Sequence, residues 1–372
     1  MEKIKQRSKE ETKPVPAIYE EERCLLRSEE FIESEPDHHN VTSSFPTFYA
    51  CKSALYRQRG KEIPKLPITP QDIILEGKWT RTNAGDNFLV ADDGEDSRIV
   101  IFGTDININY LAASNRVYMD GTFYSSPGQF YQLYSTHGEI NGRTYPLVFG
   151  LLPGKSEGIY QRFFRLLMNY CGEINVVFQP QIVMCDFEIA VRNVLQRVFP
   201  DATVKGCFFQ FTQCIWKKTQ SLGLATMYRN NDGVQKLVRR AASLPLAPIN
   251  AVGYVWFNTL EDAEEINVDI TRFADYVTEQ WIEGTDVQFW NHFDNTGPRT
   301  NNILEGWHSK INKQLNAAHP NIYRLISLLQ CIQANNEADI IQTSAGAKQR
   351  PQEVRYRRID QPLTQLKNRF ID

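Results

Sequence analysis

The spacing of apolar residues changes character along the middle of the chain. Between residues 116 and 152, three strand-like runs follow one another closely: RVYMDGTF, FYQLYSTHGEI and TYPLVFGLL. The short gaps predict antiparallel pairing, because parallel strands need a long crossover connection. The next segment, EGIYQRFFRLLMNYCG, instead has apolar residues three and four positions apart. That spacing predicts an amphipathic helix.

Two more strands are predicted beyond this helix, and helical spacing follows each of them. PQIVMCDF (180–187) is a continuous apolar run, which is typical of a strand buried on both faces, and ATVKGCFF is the fifth strand. The predicted order β-β-β-α-β-α-β-α indicates an α/β fold. It is the ribonuclease-H-like arrangement, a mixed five-stranded sheet with flanking helices, in which three antiparallel strands are extended by two crossovers.

The flanking segments predict additional regions around this core. Residues 1–42 mix acidic and basic groups with little apolar periodicity, which is typical of a disordered tail with at most one short helix. Between Glu261 and Asp286 there are nine carboxylates and one base, and strand signals are lacking, which indicates an α-helical insertion with an acidic outer face. The predicted regions are a disordered tail (1–42), a helix with a small β-rich part (43–114), the core (115–230), the helical insertion (231–298), C-terminal helices that complete the core (299–345) and a basic flexible tail (346–372).

Composition excludes several classes of protein. Hydrophobic residues make up 42% and charged residues 23%, as in an ordinary globular domain, and no stretch approaches the roughly 20 apolar residues of a membrane span. The seven cysteines are scattered without a CxxC pair, so neither a disulfide framework nor an ordinary zinc finger is indicated. The net charge of −3 argues against a simple basic wrapper of nucleic acid, although local basic patches remain compatible with it.

Two aspartates stand where they can carry chemistry. Asp120 ends the apolar part of the first core strand, and Asp186 ends the fourth in the same way. If these strands are neighbours, both carboxylates emerge at one edge of the sheet, where they can bridge a pair of Mg²⁺ ions roughly 3.5 to 4 Å apart. The simpler alternatives are that Asp120-Gly121 forms a turn and that Asp186 is a charge favoured by a helix start.

A resemblance to a known family favours the catalytic interpretation of Asp120 and Asp186. The strings MDGTF, FYQLYSTHG, YPLVFGLLPGKSEGIY, DFEIA, GCFFQFTQCIWKK and RTNNILEGWHSKIN resemble, in this order, the Mutator-like element (MULE) transposases. The resemblance implies a DDE-type transposase on a ribonuclease-H-like domain. It implies that Asp120, Asp186 and Glu305 are catalytic acids and the ligands of two Mg²⁺ (or Mn²⁺) ions. An acid from 261–286 is the competitor for the third position.

The chain departs from the family at one motif. Members usually carry Cys-x-x-His or Asp-x-x-His after the fifth strand, whereas Cys207 is followed here by Gln210. A neutral amide cannot replace imidazole as a proton carrier or a nitrogen ligand. Catalysis is therefore expected to be weakened or absent if that histidine supports it. Cys207 is equally compatible with a small buried core residue.

Contacts with DNA require bases that neutralise phosphates. Between Lys205 and Arg240 there are seven Lys or Arg residues and one acid, although a solvated helix face is the alternative. The candidate DNA contacts are Lys205, Lys217, Lys218, Arg239, Arg240, His308, Arg355, Arg357 and Arg358.

Two functions follow as hypotheses. The first is a transposase that performs Mg²⁺-dependent cleavage and strand transfer on double-stranded DNA, with terminal inverted repeats and target DNA as partners. It would act in the nucleus as a homo-oligomer, and a membrane is not expected among its partners. The second is a transposon-derived, catalytically inactive factor that binds DNA or protein, which Gln210 favours.

Overall fold

The computed structural model describes residues 1–295, 297–347 and 367, and it shows an α/β protein built on one mixed sheet. The strands are β1 (Leu89–Asp92), β2 (Val100–Phe102), β3 (Arg116–Thr122), β4 (Gln132–Ile140), β5 (Arg143–Leu152), β6 (Ile182–Cys185) and β7 (Thr203–Gly206). Among the described residues the sheet has seven strands, in the order β1-β2-β5-β4-β3-β6-β7. The predicted α/β class is confirmed.

The pairing follows the lengths of the connections. β3, β4 and β5 form an antiparallel meander, whereas β6 and β7 are parallel to β3 and arrive through helical crossovers. The expectation of five strands was too low. β2 pairs with β5 and β1 pairs with β2, both antiparallel, so part of the predicted separate β-rich region extends the main sheet. The three residues of β2 are all buried, and the removal of their apolar surface from water favours their place in the main sheet.

Helices cover both faces of this sheet, and other helices pack together beside it. In the N-terminal third of the chain, the helices are α1 (Glu2–Glu10), α2 (Val15–Leu25), α3 (Glu29–Ser34), α4 (His38–Ser44), α5 (Phe48–Arg59) and α6 (Asp105–Ala113). The middle contains α7 (Glu157–Glu173), α8 (Ile189–Val198), α9 (Phe208–Ser221), α10 (Ala225–Asn230) and α11 (Asp232–Ser243). The last third contains α12 (Val252–Glu261), α13 (Thr271–Val277), α14 (Val287–Trp290), α15 (Asn302–Leu315) and α16 (Ile322–Ser344).

Two hydrophobic layers enclose the sheet. Helices α6, α7 and α8 pack on one face, where Val117, Val183 and Phe163 belong to the same core. Helices α15 and α16 pack on the other face, around Phe149 and Ile311. The alternation of side chains along a strand explains the division, because successive residues point to opposite faces. Among the described residues, no helix is both long enough and apolar enough to cross a bilayer.

The N-terminal segment is more ordered than the sequence predicts. Instead of a mostly disordered tail over 1–42, helices α1 and α2 pack against α5 around Ile4, Ile18 and Leu55. Arg7 lies among three carboxylates, of which Glu22 is 2.8 Å away. The apolar residues are too sparse to give a local period, but together they form a small core. Their contacts are between separate helices, which is why periodicity alone misses them.

The segment between α9 and α15 is helical, with α11 to α14 packed on α9 around Phe211, Trp256, Trp281 and Trp290. Between residues 232 and 295, which are all described, the structure has no strand. This small second core matches the helical character expected of the insertion. Each of the seven cysteines lies in the described part of the chain, and each is a free thiol.

Candidate active site

The pairing of β3 with β6 brings two of the candidate acids to one edge. In this parallel pair Tyr118 is the partner of Met184. The same register, continued by two residues, brings Asp120 alongside Asp186. Neighbouring strands are about 4.8 Å apart, so the two carboxylates leave adjacent strands at the same level.

Helix α15 carries the third candidate acid over these strands. Leu304 is fully buried between Tyr118 and Met184, each two positions before one of the aspartates. Residues two positions apart in a strand share a face, so α15 covers the face from which Asp120 and Asp186 project. Glu305 directly follows Leu304 and lies in the first turn of the helix, with its side chain open to solvent.

The pKa of Asp120 reflects the charges of the other two acids. Burial, then the charge of Asp186 and finally that of Glu305 raise the pKa of Asp120 to about 7, against one hydrogen bond from the Gly121 N–H. A buried carboxylate among like charges favours its protonated form. The observation therefore identifies a concentration of negative potential at this edge.

The Asp186 carboxylate is better compensated. Burial raises its pKa, but the Glu188 N–H donates to Asp186 Oδ1 over 3.1 Å, and the charge of Lys155 also favours the ionised form. Sequence reasoning assigned no role to Lys155 or Glu188, although PGKSEG and DFEIA contain them. Only the fold brings the loop after β5 to the end of β6.

Asp120-Gly121 is not the turn that the simpler interpretation suggests. β3 continues through Gly121 to Thr122, with Gly121 paired to Tyr134 of β4. A Cβ at position 121 would lie 2.1 Å from Gln132 Oε1. A side chain at position 121 would have to displace the Gln132 amide, which donates to the Gly154 carbonyl and the Tyr160 hydroxyl.

The imidazole of His308 faces the carboxylate of Asp120. Its Nδ1 lies 3.8 Å from Asp120 Oδ2, and 12% of its side chain is exposed. Burial lowers the pKa of His308 to about 4, so the imidazole is neutral at pH 7. The contact is therefore not an ion pair, and it is too long for a hydrogen bond. The assignment of His308 as a DNA contact stays a prediction, and the same side chain also lines an open groove beside Glu305.

The side chains do not form a closed metal site as they stand. Among the residues described, there is no group of three or more His, Cys, Asp and Glu side chains with the spacing of metal ligands. What the fold brings to one edge is the oxygen donors of Asp120, Asp186 and Glu305, with His308 next to Asp120. These are hard ligands of the kind that Mg²⁺ accepts.

The matched part of the chain includes both strand acids. Residues 116–214 match the family model of the MULE transposase domain. The match supports the Mutator-like transposase family for this chain, and it ends before Glu305. No curated protein matches the sequence at the threshold applied.

Within the MULE domain match, Cys207 lies at the junction of β7 and α9. Its thiol is buried, and Cys207 Sγ accepts a hydrogen bond from the Asn301 N–H at 3.1 Å. The Phe208 N–H also donates to the Arg299 carbonyl over 2.9 Å. Cys207 therefore holds the start of the helix that carries Glu305. Burial raises the pKa of this thiol, so it remains protonated at neutral pH.

Gln210 follows one turn later in α9, where the family usually has histidine. Its Oε1 atom is buried and has no hydrogen-bond partner in the described structure. A buried amide oxygen without a partner is destabilising.

The basic candidates separate into two groups. The Lys205 ammonium donates to the carbonyls of Gln288 and Asn291, at 2.6 and 3.0 Å, so it ties β7 to the insertion. Arg240 forms an ion pair with Asp262. Both residues therefore have a partner within the protein, and their role as DNA contacts stays a prediction.

Three other candidates, on α9 and α11, are at least partly exposed. Lys217 is exposed on α9, and the Lys218 ammonium lies 4.8 Å from the centre of the Tyr276 ring. Arg239 is exposed on α11, with its Nε 3.3 Å from Tyr228 Oη. The tail candidates Arg355, Arg357 and Arg358 lie outside the described residues.

Proposed function

We propose that this chain is the catalytic core of a Mutator-like DNA transposase of the DDE type. The observation that carries the proposal is the position of the three acids. Asp120 lies near the end of β3 and Asp186 directly follows β6, at the same level of two adjacent parallel strands, and Leu304 packs the helix of Glu305 over them. The raised pKa of Asp120 results in part from the charges of the other two acids.

The sheet order supports a ribonuclease-H-like core within the larger sheet. Strands β5-β4-β3-β6-β7 comprise an antiparallel meander extended by two parallel strands. In this proposal β1, β2 and the helices α11 to α14 are additions to that core.

Asp120, Asp186 and Glu305 are the residues that would hold two Mg²⁺ or Mn²⁺ ions. When bound, such ions supply an activated water and stabilise charge on the leaving oxygen during phosphodiester cleavage. The donor set fits, because Asp120 is a buried carboxylate beside two other acids and, among the described residues, its nearest basic neighbour is the neutral His308 at 3.8 Å. Cations would remove the repulsion among these acids.

The remaining residues would position these acids. The Gly121 N–H and the Glu188 N–H orient the carboxylates of Asp120 and Asp186, respectively. Cys207 fixes the first turn of α15 through Asn301. Lys155 adds a positive charge near Asp186, where a DNA phosphate would have to approach.

The proposed substrate is double-stranded DNA that carries terminal inverted repeats, together with target DNA. Lys217, Lys218 and Arg239 offer positive charge on the α9 and α11 side. Such contacts would position the duplex without reading its sequence. Because two transposon ends must be joined to one target, we also propose action as a homo-oligomer, in the nucleus.

The test is a cleavage and strand-transfer assay on a labelled duplex that carries candidate terminal inverted repeats, with Mg²⁺ or Mn²⁺. We expect Asp186→Asn to lower the cleavage rate by at least ~100-fold, since removal of a group that stabilises transition-state charge costs that much. The matched control is Asp201→Asn, an exposed aspartate in the loop before β7, which should retain the wild-type rate.

The competing function is a transposon-derived factor without catalysis. Its support is Gln210, which replaces the histidine of the family motif. A protein that binds the same duplex but stays inert in both metals, and also when Gln210 is replaced by histidine, would favour it over the transposase.

A further inference from the structure

An open groove of about 500 Å³ lies beside the third acid. One wall is the solvent face of α15, where Glu305, Asn312 and Lys313 recur at helical spacing. Tyr124 also lines the groove, and it comes from the loop between β3 and β4, four residues beyond Asp120. The groove thus joins the two elements that carry the first and third acids.

The loop that carries Tyr124 is fixed to the end of α15. The His319 N–H donates to the Tyr124 carbonyl over 3.0 Å, and His319 Nδ1 lies 3.1 Å from the Ser126 carbonyl. The Ser125 hydroxyl also hydrogen-bonds to Asn312 Oδ1. These bonds hold the backbone of the loop, whereas the Tyr124 side chain remains 46% exposed. The ring is therefore presented to solvent by a rigid support.

The chemistry of the groove matches one nucleotide. An exposed aromatic ring is a surface on which a base can stack, and this kind of contact tolerates any base. Lys313 can neutralise a phosphate, and the Asn312 amide can hydrogen-bond to a base or a sugar. The volume lies within the range of ligand clefts, roughly 300 to 1,000 Å³. A full turn of duplex, about 34 Å long, is far larger than this groove.

We propose that this groove binds a single unpaired nucleotide of the DNA strand adjacent to the acids, with its base stacked on Tyr124. The inference rests on the proposed function and makes it more specific. The DNA end must be opened locally, because a stacking surface of this kind is accessible only to a base outside the duplex. Duplex contacts elsewhere would then hold the paired part of the same DNA.

Binding of fluorescein-labelled 12-nucleotide DNA tests this, by fluorescence polarisation in Ca²⁺, with a single strand and a blunt duplex of the same sequence. We expect Tyr124→Ala to weaken binding of the single strand by about 5- to 150-fold, the range for loss of one base–aromatic stack, and to change duplex binding less than twofold. Tyr124→Phe keeps the ring and should bind the single strand as the wild type does. The matched control is Tyr254→Ala, since Tyr254 is 71% exposed on α12.

The inference is overturned if Tyr124→Ala binds the single strand as well as the wild type does, or weakens both DNAs equally. Thermal unfolding of each variant separates loss of binding from loss of folding. Cleavage that is unaffected by Tyr124→Ala and abolished by Asp186→Asn would refute nucleotide binding in the groove but support the transposase proposal. Binding that depends on Tyr124 in a protein that never cleaves would support nucleotide binding in the groove but refute the transposase proposal.

Discussion

The Asn301 N–H donates to Cys207 Sγ over 3.1 Å, and this bond joins the end of β7 to the start of α15. Asn301 is the N-cap of the helix whose first turn contains Glu305. Residues far apart in sequence therefore share one junction next to the acids. The cysteine of the family motif has a structural explanation here, as the acceptor that positions the third acid.

Replacement of this sulfur tests the junction. Cys207→Ala leaves a buried N–H without an acceptor, so we expect the free energy of unfolding to fall by about 1–3 kcal/mol in urea titrations. Cys207→Ser retains an acceptor and should lose less. Equal losses in the two variants would mean that packing of the sulfur, and not the hydrogen bond, stabilises the junction.

Removal of one charge from the acid edge should stabilise the protein without metal. At pH 8 Asp120 is ionised, because its pKa is about 7, and it repels Asp186 and Glu305. We expect Asp120→Asn to raise the Tm in EDTA by roughly 2 °C or more. Mg²⁺ should raise the Tm of the wild type and not that of Asp120→Asn, because a ligand that binds only the folded state stabilises it. The same Mg²⁺ response in both proteins would argue against a metal role for Asp120.

An imidazole at position 210 should improve catalysis. Gln210 Oε1 is buried beside the Cys207 junction and has no partner in the described part of the chain, and histidine can carry protons where an amide cannot. We expect Gln210→His to increase the strand-transfer rate about tenfold or more, as is usual for a positioned acid–base group. Gln210→Asn, which restores no titratable group, is the control. An unchanged rate in Gln210→His would show that this position no longer affects the chemistry.

A buried histidine should make folding sensitive to acid. His292 Nε2 lies 2.8 Å from the Gly206 carbonyl, and burial lowers the pKa of His292 to about 4. Unfolding raises that pKa to about 6.5, so the unfolded state gains a proton between pH 6.5 and pH 4. The free energy of unfolding should therefore fall over this range, by up to about 3 kcal/mol from this group.

His292→Gln keeps an N–H donor but cannot titrate. Its loss of stability between pH 6.5 and pH 4 should consequently be smaller than that of the wild type, measured by urea unfolding at each pH. His39→Gln, at an exposed histidine, serves as the control and should follow the wild type. A slope for His292→Gln equal to that of the wild type would contradict the prediction.

The N-terminal helices provide a test of their own. Ile18 is fully buried among α1, α2 and α5, and Ile18→Ala should cost about 2–5 kcal/mol within this small core. Limited trypsin digestion should then cleave residues 1–60 faster and leave the rest intact. Ile32→Ala, at a side chain 37% exposed, is the control. Rapid cleavage of this segment in the wild type would favour the tail expected from sequence.

The sequence by itself determined the local elements of the core. The change from alternating to helical spacing predicted β3 to β7 and the helices between them, because periodicity reports which face of an element is buried. It also indicated that Asp120 lies near the end of one strand and Asp186 directly after another, as the structure has them. These two acids need only a strand and its direction, which are local properties.

The tertiary structure decided which distant residues meet. The packing of Leu304 on Tyr118 and Met184, the approach of Lys155 to Asp186 and the inward direction of His308 depend on contacts between separate elements. The addition of β1 and β2 to the sheet and the core of the N-terminal helices have the same origin. A local pattern specifies that a face is apolar or charged. The element that packs against this face is determined only when the whole chain folds, because burial and charge pairing are properties of the assembled fold.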